Sequence, residues 1–173
     1  MQGRRRTRRL EAEMKGIPYA SASAGQRARD EITKILRRFG CESIGFMDDF
    51  EAHEILLAFK HRGRQVQLRA SAKGWAQLSL KQQPWSYRHR STRQEYEQAA
   101  LRQGHIAVNS ILRDWIKGQV TAVECGILSF EAVFMPFMLT HDGRPVIERI
   151  DNLLPEADAP KVVALPGQGP AST

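Results

Sequence analysis

Apolar residues recur at steps of three and four over residues 26–39, with Ile32, Ile35, Leu36 and Phe39 on one face. Arg29, Asp30, Lys34, Arg37 and Arg38 fall largely around the rest, so the stretch predicts an amphipathic helix against a core. Gly40 stands where such a helix is capped. The period then changes to two. Ile44 and Phe46 alternate with Ser43 and Gly45, Asp48-Asp49-Phe50-Glu51 makes a turn, and Ile55, Leu57 and Phe59 alternate with Glu54, Leu56 and Ala58. After the tight connection His61-Arg62-Gly63-Arg64, Val66, Leu68 and Ala70 alternate with Gln65, Gln67 and Arg69. The pattern predicts a three-stranded antiparallel meander with Val66 and Leu68 facing the helices and a polar face opposite.

Over residues 71–92 no period is convincing, although Leu78 and Leu80 suit a short strand; the stretch reads as a long functional loop. Residues 93–125 predict the longest helix, with Leu101, His105, Val108, Leu112, Trp115, Gln119 and Ala122 forming its stripe, Trp115 buried, and a kink or break at Gly104. Gly126 suits a C-cap. Ser129 then opens a short helix through about residue 139, which Pro136 should end or bend. Residues 130–139 are apolar nearly all round and are either core or a partner surface. The fold class is therefore α+β: a helix, a three-stranded meander, then a long and a short helix. One domain covers 25–152, between a flexible arginine-rich arm at 1–24 and a disordered Pro/Gly/Ala tail at 153–173.

Composition is compatible with this plan, since 173 residues at 42 % apolar content build one core. No apolar run approaches the length of a membrane helix and no signal core follows the basic start, so a cytoplasmic protein without membrane contact is expected. Cys41 and Cys125 are too few for a disulfide framework and lack metal spacing; both read as small buried thiols.

Charge changes the picture. Residues 55–94 contain no Asp or Glu but nine cations: Lys60, Arg62, Arg64, Arg69, Lys73, Lys81, Arg88, Arg90 and Arg93. Arg4, Arg5, Arg6, Arg8 and Arg9 form a second cationic piece, and the net charge of +7 conceals an acidic remainder. Such segregation suits a phosphate backbone better than a charge-balanced solvated surface does. Trp75, Trp85 and Tyr87 lie within the block, and an aromatic beside arginines can stack on an unpaired base. The competing assignment turns Trp75 and Trp85 inward as staples, with at least one of them in the core. The expected binding residues are the arm arginines, Lys60, Arg62, Arg64, Arg69, Lys73, Trp85, Tyr87, Arg88, Arg90 and Arg93.

Catalytic signatures are few. Asp48, Asp49, Glu51, His53 and Glu54 crowd seven residues and could hold a magnesium ion for a nuclease, or simply form an acidic turn. The following strands add no further acid, so the nuclease ranks third. The strand order also matches double-stranded-RNA-binding domains, but Arg93, Glu95 and Glu97 stand where those domains place a lysine cluster. His105 suits a core histidine.

Glu31-Ile32, Leu36-Arg37-Arg38-Phe39-Gly40, Gly63-Arg64-Gln65-Val66, Val123-Glu124-Cys125-Gly126-Ile127-Leu128-Ser129-Phe130-Glu131 and Asp142-Gly143-Arg144-Pro145-Val146 form a spaced pattern. Over roughly residues 18–152 this pattern resembles a set of small bacteriophage and prophage proteins. The resemblance implies a phage-encoded accessory protein working inside a bacterial host. The expectation is a non-enzymatic binder of single-stranded or recombining DNA, with DNA favoured over RNA and no cofactor. The alternative is a module that binds, to inhibit or recruit, a host or defence protein through residues 130–139 or through the long helix.

Overall fold

The computed structural model describes residues 17–23 and 25–150, so the arginine arm through Arg9 and the tail from 153 lie outside the described residues. The first helix, α1, spans Gly25–Arg38 and buries Ala28, Ile32 and Leu36. Gly40, at φ +91, closes it: the Gly40 and Cys41 amides donate to the Arg37 and Leu36 carbonyls, each at 3.0 Å, and a side chain at that φ would be strained.

Strands β1 (Ser43–Asp49), β2 (Glu54–His61) and β3 (Arg64–Ser71) form an antiparallel sheet in that order. Phe59 pairs with Ile44 on one side and Val66 on the other; Leu57 pairs with Phe46 and Leu68. The central strand thus buries Ile55, Leu57, Phe59 and His61 on one face. At the β2–β3 tip, Arg62 (φ 48) and Gly63 (φ 76) are both left-handed, the requirement of a two-residue turn whose twist matches the strands.

The expected loop over 71–92 is half helix. Helix α2 spans Ala72–Gln82, with Ala72, Trp75 and Ala76 buried at three- and four-residue steps. Two of those three side chains are alanines, so the face is real but its periodic signal is faint. The helix stops before Pro84, which forces Gln83 out of helical geometry. Trp75 turns inward and its Nε1 donates to the Pro18 carbonyl at 2.8 Å.

Helix α3 runs unbroken from Arg93 to Glu124, opened by a capping box in which Thr92 and Glu95 serve each other's amides. Gly104 does not break the helix. A Cβ there would sit 2.7 Å from the Ala72 carbonyl oxygen, so glycine permits the start of α2 to cross α3. The early part of α3 pairs with α2, and its later part packs beside α1, which it meets through Arg113 with Glu31 and Glu124 with Arg38. Trp115, expected to be buried, is half-buried and meets Phe134 and Phe137 edge-on at 5.9 and 5.7 Å.

The helix expected through 139 is shorter. Helix α4 spans Phe130–Phe134, capped by the Ser129 hydroxyl, and Pro136 sits in a single 3₁₀ turn at Met135–Phe137. Met138 and Leu139 then lie against β3, where the Leu139 amide donates to Gln65 at 2.8 Å. Phe130, Val133, Phe134 and Met138 are all buried, so this segment is mainly core. A short α5 at Ile147–Ile150 follows.

His61 is 5 % exposed, its ring stacked on Phe39 at 4.4 Å and tilted against Phe130 at 4.8 Å. Burial, with Arg62 beside it, pushes its pKa below the ordinary value of 6.5, and burial acts likewise on His105. The folded state therefore binds fewer protons than the unfolded chain below that value, so stability is full above it and falls as the pH drops towards the lowered folded pKa. Thermal melts from pH 7.5 to 5 are expected to show this loss, and His61→Phe to flatten it. An acid limb unchanged in the variant refutes the assignment.

Candidate nucleic-acid interface

The acid-free block does not fold into one basic face. Lys60, on the outer face of the sheet, meets Glu42 at 2.9 Å; Arg69 approaches Glu54 at 3.8 Å; Arg93 meets Glu97 at 2.8 Å. Met47, Leu56 and Ala58 occupy the middle of that outer face, and Asp49 and Glu54 its far end. Only β3 presents the expected polar, acid-free row. Six cations, Arg62, Arg64, Lys73, Lys81, Arg88 and Arg90, are exposed without a carboxylate partner among the described residues.

These six are spread from end to end of the molecule. Arg62 and Arg64 share a cleft with Val123 and Glu124 at the C-terminal end of α3. Arg88 and Arg90 precede its N-terminal end, and 32 helical residues at about 1.5 Å each put about 45 Å between the clusters. Lys73 and Lys81 lie along α2, which leads back towards the loop.

The loop after α2 is itself folded. Trp85 Nε1 donates to the Ser91 carbonyl at 3.0 Å, the Tyr96 hydroxyl to the Gln83 carbonyl at 2.9 Å, and the Ser86 amide to His89 Nδ1 at 3.0 Å, while the His89 ring leans on Tyr96. Trp85, expected to stack on a base, is 37 % exposed and fastens the loop by its indole nitrogen. Tyr87 is the ring left in water, 82 % exposed, with the Arg88 guanidinium 6.0 Å from its centroid. Nothing in the spacing of the two aromatics separated these roles; the neighbours that pin Trp85 did.

The acidic stretch is engaged in structure, and the turn expected at 48–51 falls at 50–53, because Asp48 and Asp49 end β1 and Glu54 opens β2. Arg29 grips both carboxylate oxygens of Asp48 and donates from Nε to Asn109 at 2.8 Å, and its guanidinium holds the Asp48 carboxyl below the usual range. Asp49 accepts the Glu51 and Ala52 amides at 3.0 and 2.8 Å, and Glu54 faces Arg69. Among the described residues no three His, Cys, Asp or Glu side chains are grouped to hold a metal ion. Cys41 is half-buried with its thiol pushed up to about 11 by burial, whereas Cys125, expected buried, is exposed at the end of α3. No described helix is long and apolar enough to cross a membrane.

Compared with protein-family models, curated proteins and solved structures, the chain gives no significant match.

Proposed function

We propose that this is a phage-encoded accessory protein that binds single-stranded nucleic acid, stacking an unpaired base on Tyr87 while Arg88, Arg90 and the more distant Arg62 and Arg64 meet phosphates. The observation that carries the reading is Tyr87: a ring held in water by a folded loop, with cations beside it that no described carboxylate neutralises. A preorganised aromatic loses little entropy when a base covers it. Stacking and phosphate contact do not read the 2′-hydroxyl, so DNA and RNA strands are both ligands.

Tyr87→Ala is expected to weaken binding of single-stranded DNA by about 1–3 kcal/mol in fluorescence anisotropy, with an unchanged melting temperature. Duplex binding, which offers no free base, should hardly respond. Equal losses on both ligands, or none on either, remove the stacking role.

The second reading, a module that binds a host protein, narrows from residues 130–139 to Met135 together with the two residues before Ser129. Ile127 (72 % exposed), Leu128 and Met135 are the apolar side chains left in water around α4.

A further inference from the structure

His53, in the turn between β1 and β2, and His105, in the middle of α3, come together with ring centroids 5.9 Å apart. They line an open cleft of about 550 Å³ with Phe50, Gln98, Leu101 and Arg102. The turn is well defined: His53 is left-handed at φ 56, rare for a residue with a side chain, and its carbonyl accepts the Ala72 amide at 2.9 Å. Phe50 projects from the same turn, 78 % exposed, and Arg102 is exposed without a carboxylate partner among the described residues. The cleft thus holds two imidazoles, a guanidinium and a free aromatic ring. It lies partway along α3, between the two cationic ends.

We propose that this cleft is a metal-independent RNA-cleaving site in which His105 and His53 act on one phosphodiester. The proposal rests on the single-strand reading above. The attacking and leaving oxygens of a phosphate lie on opposite sides of phosphorus, so imidazoles from two elements can serve both. His105 accepts the proton of the ribose 2′-hydroxyl as that oxygen bonds to phosphorus. The bond from phosphorus to the 5′-oxygen breaks, and His53, as the general acid, gives a proton to that oxygen. The products are a 2′,3′-cyclic phosphate and a 5′-hydroxyl, and proton exchange with water restores both histidines. Arg102 meets the charge that develops on the non-bridging oxygens, and Phe50 stacks on a flanking base. The groups facing His105 suit a base: burial lowers its pKa most, Asp48 opposes this, and His53 and Arg29 add to the lowering, so the imidazole is neutral at neutral pH. DNA lacks the attacking hydroxyl and is bound without being cut.

The test uses the full chain with an end-labelled single-stranded RNA and its 2′-O-methyl counterpart, in EDTA. Expected are cleavage of the RNA alone, cyclic phosphate ends, and a rate that declines on the acid side as His105 takes up a proton. His105→Gln and His53→Ala should each lower the rate by about 10²–10⁴-fold while the 2′-O-methyl strand still binds. Arg102→Gln, at an exposed position, should slow cleavage without shifting the melting temperature, which guards against a histidine variant that fails to fold. RNA that is bound yet stays intact overturns the site and leaves the binding reading standing. Failure to bind the 2′-O-methyl strand overturns both. Cleavage undiminished in all three variants, or abolished by EDTA, also overturns it.

Discussion

Replacing Phe134 with alanine is expected to lower the unfolding free energy by about 3–5 kcal/mol. The ring is fully buried, edge-on to Phe59 at 5.5 Å and to Trp115 at 5.9 Å, with Phe130 at 4.9 Å. It therefore joins the central strand, the long helix and its own short helix through one side chain. Truncation loses the transfer energy of the ring and leaves a cavity whose walls belong to separately anchored elements, so partial collapse recovers little. Against a total of about 5–15 kcal/mol for a domain, that is a large share. Denaturant unfolding should show a lower midpoint at constant slope, while Met135→Ala, exposed one residue later, should stay within about 0.5 kcal/mol. A loss below about 1 kcal/mol in Phe134→Ala would mean that residues 130–139 are not the joint between the layers.

The elements legible in the sequence are those whose periodic face is made of large side chains. The meander shows because Ile55, Leu57, Phe59, Val66 and Leu68 alternate cleanly and Arg62-Gly63 is a turn pair; α1 shows because Ile32 and Leu36 lie on one stripe. Helix α2 was hidden because it buries two alanines and a tryptophan. Gly104 read as a helix breaker because propensity is local, whereas its use is the approach of Ala72, thirty-two positions earlier in the chain. The candidate site divides in the same way. The charge block was visible as a run of cations, but a linear run carries no distances: β3 and α2 take it from one end of α3 to the other. Which aromatic stays in water was decided by Ser91, His89 and Tyr96, and the meeting of His53 with His105 by the crossing of two distant elements.

That separation gives the binding reading its most demanding consequence: affinity for single strands should rise in two stages with length, and its salt dependence should steepen at the second. A strand must span about 45 Å to touch both clusters, which at roughly 3.4 Å per stacked nucleotide is about 13 nucleotides. If all six unpaired cations, from Arg62 to Arg90, meet phosphate, the slope of log affinity against log salt for a single strand is about −4, a loss of about 300-fold between 50 and 200 mM. A shorter strand held by Lys81, Arg88 and Arg90 alone should show a slope of about −2 and lose about 20-fold. Deleting residues 2–9 measures separately what the arginine arm adds. The two ends then have distinct signatures. Arg62→Ala with Arg64→Ala should weaken long strands only, returning them towards the shallower slope, while Arg88→Ala with Arg90→Ala should weaken short and long strands together. A slope that does not change with length would confine binding to one end. Affinity that is flat with salt would remove the phosphate contacts altogether, leaving the exposed Tyr87 without the electrostatic partner that distinguishes a nucleic-acid surface from a protein one.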